Sequence, residues 1–353
     1  MMETSTVTSF VPPRRVLIIK PSAIGDVVHA LPVLPRLRKL WPKAKLSWLI
    51  TPACASLVER HPMVDEVILF QRKRWGRSWY SPRALGDLAG FVGDLRRREF
   101  DLVIDLQGLL RSAWIAMASG APRRIGFSNA REFAPLFYTE LVDCSWEDEH
   151  AVERYLKIAS ALGCGGGPAE FCFAVDDEDR KYIGNLIPAG TQYAVLMPGT
   201  NWDTKRWPAG RFAALVKPLK ERFGLETVIA GSSADVGTGK QIPAKFDLIA
   251  KTTLRQIVAL LEGAKLAIGN DTGPMHMAAA MEVPLVSPYG PTDPKRTGPF
   301  GRMDSVVRLD LPCSPCYSRT CRHRSCMEWL QIDPILEVAG EQLRGRLPSQ
   351  FKA

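Results

Sequence analysis

Short apolar runs of strand length alternate with stretches of helical spacing along nearly the whole chain, and the alternation stops once and restarts. Arg15 to Lys20 (RVLIIK), Lys45 to Ile50, Val64 to Phe70 and Asp101 to Leu106 (DLVIDL) read as strands, separated by helical spacing over Asp26 to Leu40 and Leu85 to Arg98. Gln107-Gly108 leads into a helix through Ala118, Arg123 to Arg131 (RRIGFSNAR) reads as a loop, and helical spacing returns from about His150 to Leu162. The pattern restarts with Tyr193 to Met197, then a helix from Pro208 to about Phe223, strands at Thr227 to Ala230 and Asp247 to Ala250, and a helix from Leu254 to Leu261. Parallel strands need a crossover between them, so this order implies an α/β fold of two doubly wound, Rossmann-like domains. The expected division is an N-terminal extension over 1–13, a first domain over 14–178, a second over 190–330, and a final helical segment over 331–353. The break falls near 175 to 190, where acidic Asp176 to Arg180 and Pro188-Ala189-Gly190 read as linker.

A chain of 353 residues can bury two such cores. Its apolar runs are too short to cross a membrane, and MMETSTVTSFVPP lacks the basic start and apolar centre of a secretory signal, so a cytoplasmic location is expected. The formal charge of +9 points to an anionic partner: a phosphorylated substrate, an anionic lipid or a nucleic acid. Cys54, Cys144, Cys164 and Cys172 are scattered and read as small buried hydrophobes.

Chemistry concentrates between Ala267 and Pro294. Leu266-Ala267-Ile268 is a short buried strand, Gly269 to Gly273 is turn chemistry, and Pro274 suits a first helical position. A helix opening at a strand's carboxyl end presents free N–H groups to an anion such as phosphate. Asp271, Thr272 and polar His276 converge on that start, within an otherwise apolar helix. Near the N-terminus, Asp26 lies in the first turn after Pro21-Ser22-Ala23-Ile24-Gly25. A carboxylate is favoured there by the helix dipole; the same place suits a general base, with His29 one turn along. Arg72-Lys73-Arg74-Trp75-Gly76-Arg77 is a basic, aromatic loop following a strand, placed for anion capture.

Three spaced motifs, K-P-S-A-I-G-D-V-V-H-A-L-P from Lys20, P-G-T-N-W-x-x-K-R-W-P from Pro198, and N-D-T-G-P-M-H with Y-G-P-T-D-P from Asn270, resemble glycosyltransferase family 9, the lipopolysaccharide heptosyltransferases. The resemblance covers about Arg15 to Leu347, and RKRW, DLQGLLRSA, NAREFAPLFY and HAVERY place the first half nearest heptosyltransferase I. It implies a GT-B fold, two Rossmann-like domains across a cleft, with the last helix crossing back onto the first domain. It implies inverting transfer of heptose from ADP-heptose onto Kdo of the lipid A inner core, without a cofactor or catalytic metal. Asp26 then becomes the general base, while Lys205, Thr200 and the N–H groups of Thr272 and Gly273 meet the charge of departing ADP. Asp271 would bind heptose hydroxyls, His276 would lie near the diphosphate, and Asp247 would reach the ribose.

For an acceptor rich in phosphate and carboxylate, Lys20, Ser22, Arg72, Lys73, Arg74, Gln107 and Arg131 are the matching residues. Peripheral contact with the anionic inner face of the inner membrane follows from the charge. The tail departs from heptosyltransferase I: Cys313, Cys316, Cys321 and Cys326 resemble a cluster of heptosyltransferase II and other branches, with spacing suited to a structural zinc. Transfer of the second heptose or of another sugar is the nearest alternative. A sugar-nucleotide epimerase of similar fold, or a nucleic-acid binder exploiting the charge, fits the motifs less well, and no nucleic-acid partner is expected.

Overall fold

The computed structural model describes residues 11–71 and 81–345. The first sheet comprises β1 (Arg15–Ile19), β2 (Lys45–Ile50), β3 (Glu66–Leu69), β4 (Leu102–Asp105), β5 (Arg123–Phe127) and β6 (Glu140–Val142). All its pairs are parallel, in the order β3-β2-β1-β4-β5-β6. Helices α1 (Ile24–Ala30), α2 (Val33–Leu40), α3 (Pro82–Arg97), α4 (Leu110–Ala118) and α5 (Ala151–Ala161) accompany it. The central strands β1 and β4 are buried on both faces, which is why they read as unbroken apolar runs rather than as alternation.

The second sheet repeats the plan with β7 (Tyr193–Met197), β8 (Glu226–Ile229), β9 (Phe246–Asp247), β10 (Leu266–Gly269), β11 (Leu285–Tyr289) and β12 (Val306–Arg308), in the order β12-β11-β10-β7-β8-β9. Its helices are α6 (Asp177–Leu186), α7 (Ala209–Phe223), α8 (Val236–Gly239), α9 (Leu254–Glu262), α10 (Gly273–Ala280), α11 (Pro294–Thr297), α12 (Ser325–Glu328) and α13 (Ile332–Leu343). A buried cluster runs from Val27 and Val28 of α1 to Met275, Met277 and Ala278 of α10, so the two domains share apolar packing where these helices meet.

Several expectations are corrected. The single helix over 26–40 is two helices, because Pro32 cannot donate within a helix and instead caps α2. Arg123 to Arg131 begins as β5, not a loop: Arg123 pairs with Glu140 of β6 at 2.7 Å, an ion pair across adjacent strands. The strand expected at 247–250 is cut to two residues. The acidic stretch read as linker is α6; Asp176 caps it, accepting from the Asp179 N–H at 3.0 Å, and its first turn is acidic as the dipole favours. α6 packs on α9, with Asp179 paired to Arg255 at 3.0 Å, so it belongs to the second domain. The crossing is made by the irregular segment 164–176, fastened by His61 to the Cys172 carbonyl and by Arg60 to Asp176.

Among the described residues, the last helix does not cross back. Ile335, Leu336 and Ala339 of α13 bury themselves in the second domain's own core beside Trp207 and Phe212, and the helix lies on β11 and α7. The extension over 1–10, the basic loop over 72–80 with Arg72, Lys73 and Arg74, and residues 346–353 lie outside the described residues.

Candidate functional site

Strands β1 and β10 each stand beside the point where strand order reverses: between β1 and β4 in one sheet, and between β10 and β7 in the other. Ligands of open α/β sheets bind at such points, beyond the carboxyl ends of the strands. The helices that leave these strands, α1 and α10, meet end to end, and glycine makes the approach possible. A Cβ on Gly273 would lie 2.3 Å from Ile24 Cγ2, and one on Gly25 would lie 2.6 Å from His276 Cδ2. Gly25→Ala is therefore expected to push the helix starts apart at a cost of about 1–3 kcal/mol. The check is turnover beside free-nucleotide affinity: the variant should lose about tenfold in turnover while nucleotide affinity stays near that of the parent.

The first-domain wall is built on α1, β4 and α5. Asp26 reaches back to its own helix start, its Oδ2 accepting from the Ala23 N–H at 3.0 Å. Lys20, at the end of β1, is buried, donates to the Leu106 carbonyl at 3.1 Å and lies 4.8 Å from the Tyr155 ring centre. Burial lowers its pKa, but Tyr155, Asp26 and Asp105 outweigh that and hold it above the ordinary lysine value. Asp105, fully buried, accepts from the Gln107 N–H at 2.8 Å and the Tyr138 hydroxyl at 2.7 Å; burial nevertheless raises its pKa. Gln107, positioned by that turn, has a buried side-chain carbonyl without a hydrogen-bond partner. Ser22 is half-buried in the loop before α1, and Arg131 is exposed with its guanidinium 5.8 Å from the Trp146 ring.

Pattern reading missed Arg154. It is buried, its guanidinium lies 4.5 Å from the Trp146 ring centre, and its Nε has no hydrogen-bond partner among the described residues. Burial lowers its pKa, and Tyr155, Asp26 and the second domain's Arg296 lie close enough to act on it. Helical spacing masked it, since Arg154 falls on the buried face of α5 among Val152, Tyr155 and Ile158.

The second wall centres on Asp271. Its Oδ2 accepts from Lys205 Nζ at 2.6 Å and from the Thr292 hydroxyl at 2.8 Å, and His276 Nε2 stands 3.4 Å from Oδ1. Burial opposes the charge, but His276 and Lys205 hold this carboxyl well below the usual carboxylate range. Asn270 ties the turn to the lysine's loop, donating to the Pro198 carbonyl at 2.7 Å and accepting from the Trp207 N–H at 3.0 Å. Thr272 is the N-cap of α10 and Gly273 its first residue. Thr200 is half-buried, its carbonyl accepting from Arg206 at 3.1 Å; Trp207 is fully buried packing. Asp247 stands apart: exposed on β9, three strands from β10, it accepts from the Ile249 N–H at 2.9 Å.

Three histidines join the walls. His29 stacks edge-on against His276 at 4.4 Å and His150 at 5.0 Å, and both its ring nitrogens are buried without hydrogen-bond partners among the described residues. His150 hydrogen-bonds the Gly298 carbonyl through Nε2 and accepts from the Val152 N–H at Nδ1, the neutral tautomer. Burial lowers the pKa of His150 to about 4, and burial with neighbouring His276, His150, Lys20 and Arg154 takes His29 well below 6.5. Both are neutral when folded and titrate near 6.5 when unfolded. Their contribution is thus intact above pH ~6.5 and falls at lower pH, by about 1.4 kcal/mol per pH unit for each histidine. Denaturant unfolding at stepped pH should show this slope, and His29→Leu should reduce it.

In the cysteine-rich tail, Cys313, Cys316 and Cys321 lie near enough to Cys326 to help raise its thiol pKa, burial being the larger cause, but among the described residues no group of three or more His, Cys, Asp or Glu is arranged to hold a metal ion. Cys326 is packed against Gly290, the Cys321 sulfur accepts from the Arg324 N–H at 3.3 Å, and Cys313, Cys316 and Cys321 are exposed. The segment instead braces the lysine's loop: Thr204 donates to the Ser318 carbonyl at 2.8 Å, Arg324 to the Asp203 carbonyl at 3.1 Å, and Arg319 lies 4.6 Å over the Trp202 ring.

Residues 90–327 match the profile of glycosyltransferase family 9 (heptosyltransferase). The chain is 33% identical over 321 residues to lipopolysaccharide heptosyltransferase 1 of Pseudomonas aeruginosa, covering 89% of each. It is 27% identical to lipopolysaccharide heptosyltransferase 2 of Escherichia coli, over 84% of this chain and 88% of that one. The structure of E. coli heptosyltransferase WaaC with ADP superposes with a TM-score of 0.76 at 28% identity, over 93% of this chain and 99% of that chain. The architecture is therefore GT-B, as the strand–helix alternation and the motifs led one to expect.

Proposed function

The chain belongs to glycosyltransferase family 9, and from that premise we propose that it transfers heptose from ADP-heptose to the Kdo-bearing inner core of lipopolysaccharide. The observation that carries this is the meeting of two helix starts, one bearing Asp26 and the other the Lys205–Asp271–His276 array. Asp26 takes the proton of the acceptor hydroxyl as that oxygen attacks the anomeric carbon from the face opposite the departing ADP. The charge that develops on the diphosphate meets Lys205 and the N–H groups of Thr272 and Gly273, which are already oriented and need no reorganisation. Asp271 holds Lys205, Thr292 and His276 in register and thereby aims the cation. Thr200 joins Lys205 at the diphosphate, and Asp247, which stands apart from that array, is assigned to the ribose end of the donor.

On the acceptor side, Lys20, Ser22, Gln107 and Arg131, joined by Arg154, receive a sugar acid; Arg72, Lys73 and Arg74, outside the described residues, are assigned to its phosphates on charge alone. Contact of the two domains excludes water, the competing nucleophile. No helix among the described residues is long and apolar enough to cross a membrane; in this proposal the enzyme meets its lipid acceptor at the cytoplasmic face, by surface contact.

The deciding experiment is ADP release from ADP-heptose with and without Kdo2-lipid A. Acceptor-dependent release is the expected result. Release only with an already heptosylated acceptor would assign the second-heptose reaction, and release that ignores both would sink the reading.

A further inference from the structure

Helix α4 carries apolar side chains on its outward face as well as its inward one. Ser112, Ala113, Ile115 and Ala116 are buried, yet Leu110 and Met117 are each 44% exposed, and Trp114 lies half-buried between them at helical spacing. The adjoining turn extends this surface: Phe133 is 79% exposed and Leu136 81%. Two consecutive non-glycine residues, Glu132 (φ +57°) and Phe133 (φ +59°), adopt the left-handed region there. Each such residue costs of order 1 kcal/mol, so the surrounding contacts must impose this turn. One of them is visible, the Glu132 carboxylate accepting from the Leu110 N–H at 3.2 Å. The backbone thus points Phe133 outward rather than merely failing to bury it.

Between turn and helix lies a groove of about 350 Å³ lined by Leu110, Arg111, Trp114 and Glu132. Exposed Arg111 is among its lining residues, and the Glu132 carboxylate beside it is already engaged by the Leu110 N–H. Projecting apolar tips beside an exposed guanidinium are the complement of an anionic bilayer surface, in which side chains enter the acyl boundary while cations meet phosphates. The patch also adjoins the acceptor wall, because the Arg131 N–H donates to the Gly108 carbonyl at 3.1 Å, next to Gln107.

We infer that the outward face of α4 and the turn carrying Phe133 and Leu136 form the docking surface for an anionic lipid bilayer. This rests on the reading above in one respect: the acceptor is lipid-anchored, and the surface lets it enter the cleft without leaving the membrane.

The test is flotation of the full chain with vesicles of phosphatidylethanolamine and phosphatidylglycerol, and with phosphatidylcholine vesicles, comparing the parent with Phe133→Ser/Leu136→Ser and with Arg111→Glu. Both are surface changes, and thermal midpoints report whether folding is kept. The parent should partition onto the anionic vesicles, and the double variant should bind them at least about tenfold more weakly, equivalent to about 1.4 kcal/mol. Arg111→Glu should weaken anionic binding while leaving the weaker phosphatidylcholine binding unaltered. Equal partition of parent and double variant overturns the inference. So does a concentration-dependent dimer in light scattering that the double variant abolishes while no chain binds vesicles, since the face would then join two copies. Vesicle binding is read without turnover, so failure of heptosyl transfer and failure of the docking surface are separate results.

Discussion

Asp26→Asn is expected to lower heptosyl transfer by about 10²–10⁴-fold, the range attached to a positioned general base. Asparagine keeps the side-chain oxygen that accepts from the Ala23 N–H, so the start of α1 should survive. What it loses is basicity. The groups proposed to hold ADP lie on the other wall, at Lys205 and the α10 N-terminus, and ADP affinity should remain within about twofold, a change worth under half a kcal/mol. Single-turnover kinetics beside titration calorimetry with ADP separates the two quantities. A variant that turns over at a tenth of the parent rate or better would remove Asp26 from the chemistry. Loss of ADP binding equal to the loss of rate would show that the residue merely holds the helix start in place.

Asp271→Asn should show the largest effect on stability. The carboxylate is 8% exposed and is shared by Lys205, Thr292 and His276, so neutralising it leaves a half-buried ammonium facing an amide. Breaking a buried pair by removing one partner costs about 3–5 kcal/mol, which for domains of this size lowers the thermal midpoint by roughly 10 °C. Donor affinity should fall too, because Lys205 is no longer aimed. The pH dependence gives a second readout. The folded pKa is depressed below the unfolded carboxylate value of ~3.9, so the contribution is fully present above that pH and is lost as pH falls below it toward the folded pKa. The parent should therefore lose stability more steeply than Asp271→Asn below pH ~4 in acid-unfolding titrations. Parallel acid limbs, or an unchanged midpoint, would mean that the ion pair is worth nothing net to the fold.

Much of this was legible from pattern because the relevant physics is local. Strands buried on both faces are apolar runs whatever surrounds them, and Gly269 to Pro274 announces a strand end, a turn and a helix start in six residues. Reading failed where a residue's meaning depends on what is packed against it. Asp176 to Asp179 carries equally well as an acidic linker or as a capped first turn, and only the apposition of α9 and Arg255 distinguishes them. Arg154 looked like one polar residue on an amphipathic helix; its unpartnered Nε beside Trp146 is a tertiary fact. That the cysteine-bearing segment braces the loop of Lys205 is likewise invisible in its spacing.

By itself the sequence determined the two-domain α/β plan, the family, and the helix starts at which its chemistry gathers, since periodicity, turn chemistry and motif order are written in neighbouring residues. Tertiary structure alone decided that Gly25 meets His276 and Gly273 meets Ile24, that Asp271 is held by a lysine 66 residues away, and that the last helix stays with the second domain. Those outcomes depend on how closely two separate sheets approach and on which apolar faces find each other, quantities that no local spacing encodes.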